Sequence, residues 1–590
     1  MLSIKGKTMV VKTDSTITID YSRNNLLKEL GKKTLEDRYL LPGEGPQDLF
    51  ARVAGAFSDN PAHAQRLYDY MSQLWFMPAT PILSNGGTDR GLPISCFLNE
   101  VPDSLEGIVD TWNDNVWLSA KGGGIGTYWG NVRSIGESVR KAGETSGVIP
   151  FIHVQDSLTL AISQGSLRRG AAAVYLPVDH PEIEEFLEIR KASGDFNRKG
   201  LNLNHGICIS DLFMCAVRDG TVFSLLSPVD QKVIKTVDAR ELWQRILETR
   251  LQTGEPYIIF IDTVNKSIPK FHQAYGLTVK TSNLCSEITL PTNEKRTAVC
   301  CLASLNLETY DEWKDNEIIV EDILRMLDNV LTDFALKTNI NNAAYSAMRE
   351  RSVGLGVMGF HSFLQSRGLP FESLLAKSWN KYLFKKIKEE ANAASVQLAH
   401  EKGACKDADL GGYPYRFSNM IAIAPTASIS VIAGGSSPGI EPFPANVYNH
   451  KTLSGSYIVK NKYLEELLDG MDYGEGTDIG DVWQSIIEHE GSVQHLPFLS
   501  ARAKEIFKTA FEIDQRCIID LAADRQKYIC QSQSLNLFLP SNINKHDLHQ
   551  LHFTAWEKGI KSLYYVRSRS ARKAEFVGES KNYSECLACQ

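Results

Sequence analysis

The chain is 590 residues long, 43% hydrophobic and 23% charged, with a formal net charge of -7 at neutral pH. That is ordinary soluble-protein composition with enough length for a large core. Its acidic balance gives no support to a nucleic-acid surface, and no apolar run approaches the roughly 18 residues of a membrane span. Eleven cysteines, an odd number, with no secretion-type leader, argue against a disulfide-stapled secreted fold and for cytoplasmic thiols.

Residues 1–28 alternate apolar and polar letters (TMVVKTDSTITIDY) and predict a small hairpin. Helices are expected near 47–57 and 62–74, which leaves no room for a separate regulatory domain of roughly a hundred residues ahead of the main body. FMPATPILSN (76–85) reads as an apolar strand bracketed by prolines, and 95–98 as a short strand. After a helix-like run over 104–119, the glycines of KGGGIG (121–126) point to close backbone approach or positive φ. Their spacing fits neither a Walker loop nor a Rossmann turn. A helix over 149–162 leads to SQGSLRRGAAA (163–173), a small-residue loop whose Arg168 and Arg169 suit a solvated turn or an anion. Strands near 174–177, 203–210 and 257–261 alternate with helices near 181–191, 211–217 and 243–254. This succession predicts an α/β core with mainly parallel strands.

TSNLCSE (281–287) then offers an amide, a thiol and a carboxylate at every second position. In an extended segment Asn283, Cys285 and Glu287 would share one face. Cys285 would be a one-electron or nucleophilic centre, Glu287 a base and Asn283 an anchor; a strand end with a buried cysteine is the plain alternative. AVCCLASLNL (298–307) and a long helix over 318–338 follow. IAIAPTASIS (421–430) is an apolar strand running into a hydroxyl-rich turn, where Thr426, Ser428 and Ser430 could cradle phosphate or simply end the strand. A long amphipathic helix over 501–524, a strand over 535–539 and a helix over 545–558 precede a tail that loses periodicity and ends ECLACQ. Cys586-x-x-Cys589 reads better as a shuttle dithiol than as half a zinc site, since no second ligand pair accompanies it. A shuttle implies a buried client dithiol, for which Cys96 and either Cys300 or Cys301 are candidates.

These motifs, PATP (78–81), SC (95–96), NLCSE (283–287), CCLASLNL (300–307), APTAS (424–428), the pair Tyr564-Tyr565 and the terminal CxxC, resemble in order the class I ribonucleotide reductase large subunit. The resemblance implies an α/β fold, a ten-stranded α/β barrel with a central finger loop carrying the radical cysteine. A small mostly helical region (1–75) would precede the barrel (76–566), and a redox-active tail (567–590) would follow it. By position, Cys285 would be the thiyl radical that abstracts the 3′ hydrogen of a ribonucleotide, Glu287 would take the 3′-hydroxyl proton, and Asn283 would orient that hydroxyl. Cys96 and Cys300 would supply two electrons, and Cys586 and Cys589 would re-reduce them on behalf of a thioredoxin- or glutaredoxin-like protein.

Tyr564 and Tyr565 would be the inner steps of an electron route from a metal-containing, radical-generating small subunit, so this chain would need no metal ligands or tightly bound cofactor. Substrate phosphates would lie against Thr80, Ser95 and the run Pro425, Thr426, Ala427, Ser428, Ile429 and Ser430. Deoxynucleotide or ATP specificity effectors would contact Asp103, Arg133, Gln164 and Arg168 at the interface of a homodimer. A short form without the family's ATP-binding cone would not be inhibited by dATP through such a domain. The competing readings are an adenosylcobalamin-dependent reductase and a non-catalytic nucleotide-binding regulator. A glycyl-radical enzyme fits less well, because the chain ends in ECLACQ.

Overall fold

A computed structural model describes residues 17–139, 143–164, 168–452, 455–473 and 478–568. The helical entry comprises Glu29–Arg38, Pro46–Ala56 and Pro61–Ser72, the last two opened by proline at the first turn, where its missing N–H costs nothing. The expected hairpin falls partly outside the described residues. Its visible end is a short 3-10 helix, Tyr21–Leu26, because the Asp20 side chain accepts from Ser22 N and starts a helical turn.

Nine strands form the main sheet: β1 (Phe76–Pro78), β2 (Cys96–Glu100), β3 (Gly124–Tyr128), β4 (Ala171–Pro177), β5 (Asn204–Ile209), β6 (Tyr257–Phe260), β7 (Ala298–Asn306), β8 (Val353–Met358) and β9 (Ser562–Leu563). Their order is β1-β7-β2-β3-β4-β5-β6-β9, with β8 also on β7. From β2 through β6 the neighbours are parallel, β7 runs antiparallel to β2 and parallel to β8, and β9 is antiparallel to β6. Strands β5 through β8 are buried along their whole lengths, as expected of parallel strands covered on both faces.

Between β8 and β9 no continuous ladder forms among the described residues. The gap is crossed by single parallel bridges, Leu355 to Ile421 and Ile423 to Gln533, and by the bond from Tyr564 N to Leu535 O. The expected strand over 76–85 is only three residues long. Pro81 occupies the first turn of a helix, Thr80–Asn85, and ends the ladder there. The expected helix over 501–524 is two, Ala501–Ile506 and Gln515–Gln526. Between them Glu512 accepts from Thr509 N and Oγ1, and Asp514 caps the second. Among the described residues no helix is long and apolar enough to cross a membrane.

The inner face of the sheet is lined at alternate positions by Ala173 and Tyr175, Tyr257 and Ile259 on one side, and Cys96 and Leu98, Ala298, Cys300 and Leu302 on the other. The segment from Leu284 to Leu290 threads between these two sets, with Leu284 and Cys285 packed on the first and Ile288 and Leu290 on the second. Gly126 makes room for it: a Cβ there would sit 1.8 Å from Ser282 O. The glycines of KGGGIG are therefore used for close approach as well as for positive φ, which Gly122 adopts (92°). Gly126→Ala is expected to destabilise the protein by about 1–3 kcal/mol, because backbone must move to admit one methyl. The check is a lower denaturant midpoint with an unchanged slope.

Candidate active site

The threaded segment is not the extended strand expected from its alternation. Ser286 N bonds back to Asn283 O, and Ser286 has φ of 63°, so Leu284–Cys285 form the tip of a tight turn. Asn283 and Glu287 therefore approach the same place from the two arms of a turn, not from one face of a strand. Contacts from distant parts of the same chain hold that turn. Tyr175 OH donates to Asn283 O at 2.5 Å, Ser562 Oγ to Ser286 O at 2.8 Å, and Ser534 Oγ lies 2.6 Å from Cys285 O and 3.2 Å from Glu287 Oε2. Asn283 Oδ1 accepts from Ile288 N at 3.1 Å, which fixes its amide.

Asn283 Nδ2 donates to Cys96 Sγ at 3.2 Å, and the same sulfur lies 3.9 Å from Glu287 Oε1 and 3.5 Å from Ser95 Oγ. Cys96 and Cys300 are direct partners in the β2–β7 register, on the same inner face. Gln531 Nε2 donates to Cys300 Sγ at 3.5 Å and to Val353 O at 3.1 Å. Cys301 points the other way, into the outer core, with its sulfur 3.4 Å from Leu327 O.

Burial pushes both the Cys96 and the Cys300 thiols far up, with Glu287 adding to the effect on Cys96. Both sulfurs are therefore neutral S–H groups at rest, suited to giving hydrogen and ill suited to nucleophilic attack. Burial likewise raises the Glu287 carboxyl to about 7, partly opposed by hydrogen bonds from Asn283, Ser534 and Cys96. A carboxyl poised near neutrality is a proton carrier in either direction.

Cys285 shares its buried cluster with Tyr564, Tyr565, Tyr175 and Tyr257. The Tyr564 and Tyr565 rings are 4.3 Å apart, and Tyr257 lies 4.7 and 5.0 Å from them. The phosphate candidates adjoin the thiol pair: Ala79 and Ala424, each next to a candidate residue, share the cluster of Cys96 and Cys300. Thr80 Oγ1 is 2.9 Å from Tyr39 OH. Thr426 has φ of 56° and its hydroxyl accepts from Gly439 N at 2.6 Å, while Ser428 and Ser430 are buried beside it and Pro425 and Ala427 are partly exposed. Asp103 and Arg133 are joined to each other by a two-toothed ion pair with a shortest distance of 2.7 Å. Gln164 and Arg168 face each other in a two-residue antiparallel pairing in place of the expected loop. Cys586 and Cys589 lie outside the described residues.

Sequence reasoning did not single out Tyr175, Tyr257, Gln531 or Ser534. The run QSQS at 531–534, polar at every position just before an apolar strand, was the available signal. Among the described residues no group of three His, Cys, Asp or Glu side chains could hold a metal ion.

Two family models match the chain: the ribonucleotide reductase all-alpha domain over residues 25–91, and the ribonucleotide reductase barrel domain over 94–409 and 407–566. The ribonucleoside-diphosphate reductase large subunit of Invertebrate iridescent virus 3 is 41% identical, over 97% of this chain and 100% of its own. That of Arabidopsis thaliana is 33% identical, over 94% and 78%. Among solved structures, the Actinobacillus ureae class Id ribonucleotide reductase alpha subunit superposes with a TM-score of 0.82 at 34% identity, covering 94% of this chain and 99% of that one.

Proposed function

The chain belongs to the class I ribonucleotide reductase large-subunit family, whose catalytic subunits use thiyl-radical chemistry, and we propose how its own residues divide that work. The substrate is a ribonucleoside diphosphate and the product its 2′-deoxy counterpart. Cys285, as a thiyl radical, takes the 3′ hydrogen. Glu287 accepts the 3′-hydroxyl proton while Asn283 orients that hydroxyl, and the 2′-hydroxyl leaves as water. Cys96 and Cys300 give up two hydrogens in all and join as a disulfide, and Cys285 returns hydrogen to C3′. The observation that carries this reading is Cys96 Sγ, opposite Cys300 and within reach of both Asn283 and Glu287 beside the Cys285 turn.

The finer architecture belongs to the same proposal. β1 and β2 both pair antiparallel with β7, over Ala303–Leu305 and Ala298–Cys300, and count as one stave. With segments 421–424 and 533–535 as two further staves, ten close into a barrel around a finger loop tipped by Cys285, which the single bridges at those segments support. The division into 1–75, 76–566 and 567–590 accompanies it. Thr80, Ser95 and residues 425–430 receive the substrate phosphates, and Asp103, Arg133, Gln164 and Arg168 serve a nucleotide effector in a homodimer. The radical comes from a metal-containing small subunit through Tyr565 and Tyr564. Cys586 and Cys589 relay electrons from a thioredoxin- or glutaredoxin-like protein, in the cytoplasm.

Reconstitution with the radical-generating small subunit, a dithiol and a deoxynucleotide effector is the test. Product is expected only with both subunits; product from this chain plus adenosylcobalamin alone would overturn the assignment. A second expectation concerns pH. Glu287 must be ionised to accept a proton, so single-turnover rate rises with pH until about 7 is passed. Below that value it falls by about tenfold per pH unit. Glu287→Gln should lose both the activity and this acid limb.

A further inference from the structure

Tyr565 meets a buried polar group that the reaction scheme above does not use. Asn204 begins β5, Glu255 immediately precedes Pro256 and β6, and Tyr565 follows β9, so three strands present one end to the same point. Asn204 Nδ2 donates to Tyr565 OH at 3.0 Å and also to Glu255 Oε1. The other Glu255 oxygen accepts from His205 N at 2.9 Å and lies 3.0 Å from His205 Nδ1 and 3.8 Å from Arg190 Nε. Asn204, His205, Glu255 and Tyr565 are all buried.

The chemistry of the amide sets its direction. Its NH2 carries two hydrogens, and two oxygens wait for them. Turning it over would aim the amide oxygen at the Glu255 carboxylate, so the carboxylate holds the N–H side toward Tyr565. The phenolic oxygen is thereby an acceptor from Asn204.

We propose that Asn204, braced by Glu255, is a positioning residue for Tyr565, fixing the phenolic oxygen through an N–H bond that persists while the tyrosine is oxidised and restored. This rests on the reading of Tyr565 as a step in the radical route. In the inner step the Tyr565 phenoxyl takes one electron and one proton from Tyr564: the Tyr565 O–H bond forms and the Tyr564 O–H bond breaks. Asn204 loses nothing in that exchange. Its contribution is a fixed oxygen position and a constant hydrogen bond to the phenoxyl.

The test uses the holoenzyme of both subunits, with substrate and effector, carrying 3-aminotyrosine in place of Tyr565. An aminotyrosyl radical should accumulate, and its electron paramagnetic resonance spectrum should show a coupling to an exchangeable hydrogen supplied by Asn204. Asn204→Leu and the smaller Asn204→Ser should both remove that coupling. In the chain with Tyr565 intact, each should lower kcat roughly tenfold with KM for the nucleotide unchanged, the size of one lost hydrogen bond. An unchanged spectrum and kcat in either folded variant would overturn the proposal. Turnover with no radical at position 565 in the parent would instead remove Tyr565 from the route, and the proposal with it.

Discussion

Cys285→Ser is expected to reduce deoxynucleotide formation by about 10^4-fold or more, the loss of over ~5 kcal/mol of transition-state stabilisation. A serine hydroxyl holds its hydrogen too strongly to exchange with a ribose C–H, while its shape differs little from that of a thiol. The turn that presents it is held by Tyr175, Ser534 and Ser562 through backbone oxygens of Asn283, Cys285 and Ser286, none of which the substitution touches. Nucleotide affinity, measured by equilibrium binding, should therefore stay within about twofold of the parent, since the exchange changes side-chain volume little and leaves those bonds in place. A fall in binding equal to the fall in turnover would place Cys285 among the substrate contacts and not at the radical.

The second large effect separates two neighbouring thiols. Cys300→Ser should abolish multiple turnover, and Cys301→Ser should preserve it. Strand alternation puts Cys300 on the inner face opposite Cys96, with Gln531 donating to its sulfur, and turns Cys301 into the outer core. Cys301→Ser buries a hydroxyl beside Leu327 O and is expected to cost about 1 kcal/mol of stability, read as a small drop in midpoint. The measurement is peptide mapping after a single turnover without external dithiol. A linked Cys96–Cys300 peptide is expected from the parent and from Cys301→Ser, and a Cys96–Cys301 link would overturn the assignment.

Much of this site was legible as letters. The CC pair, the TSNLCSE heptad and the tyrosine pair marked the chemistry. The glycines of KGGGIG announced a close approach, which Gly126 makes against Ser282. What failed was the geometry of the heptad. Alternation implies one shared face only where a ladder holds the chain extended, and residues 281–290 pair with no strand, so the turn at Ser286 was free to form. The helix over 501–524 failed for a related reason: its apolar spacing continues, but Glu512 and Asp514 divert the backbone bonds into a turn and a new cap. Tyr175, Gln531, Ser534 and Asn204 reach the site from more than a hundred residues away in most cases, and pairings of that separation leave no local pattern.

The most direct test of the radical assignment is single turnover of a ribonucleoside diphosphate bearing deuterium at C3′, in the complete two-subunit enzyme. The assignment of hydrogen abstraction to Cys285 predicts slower product formation than with the unlabelled nucleotide, with no product at all from Cys285→Ser. Equal rates for the two nucleotides, together with product from Cys285→Ser, would contradict it.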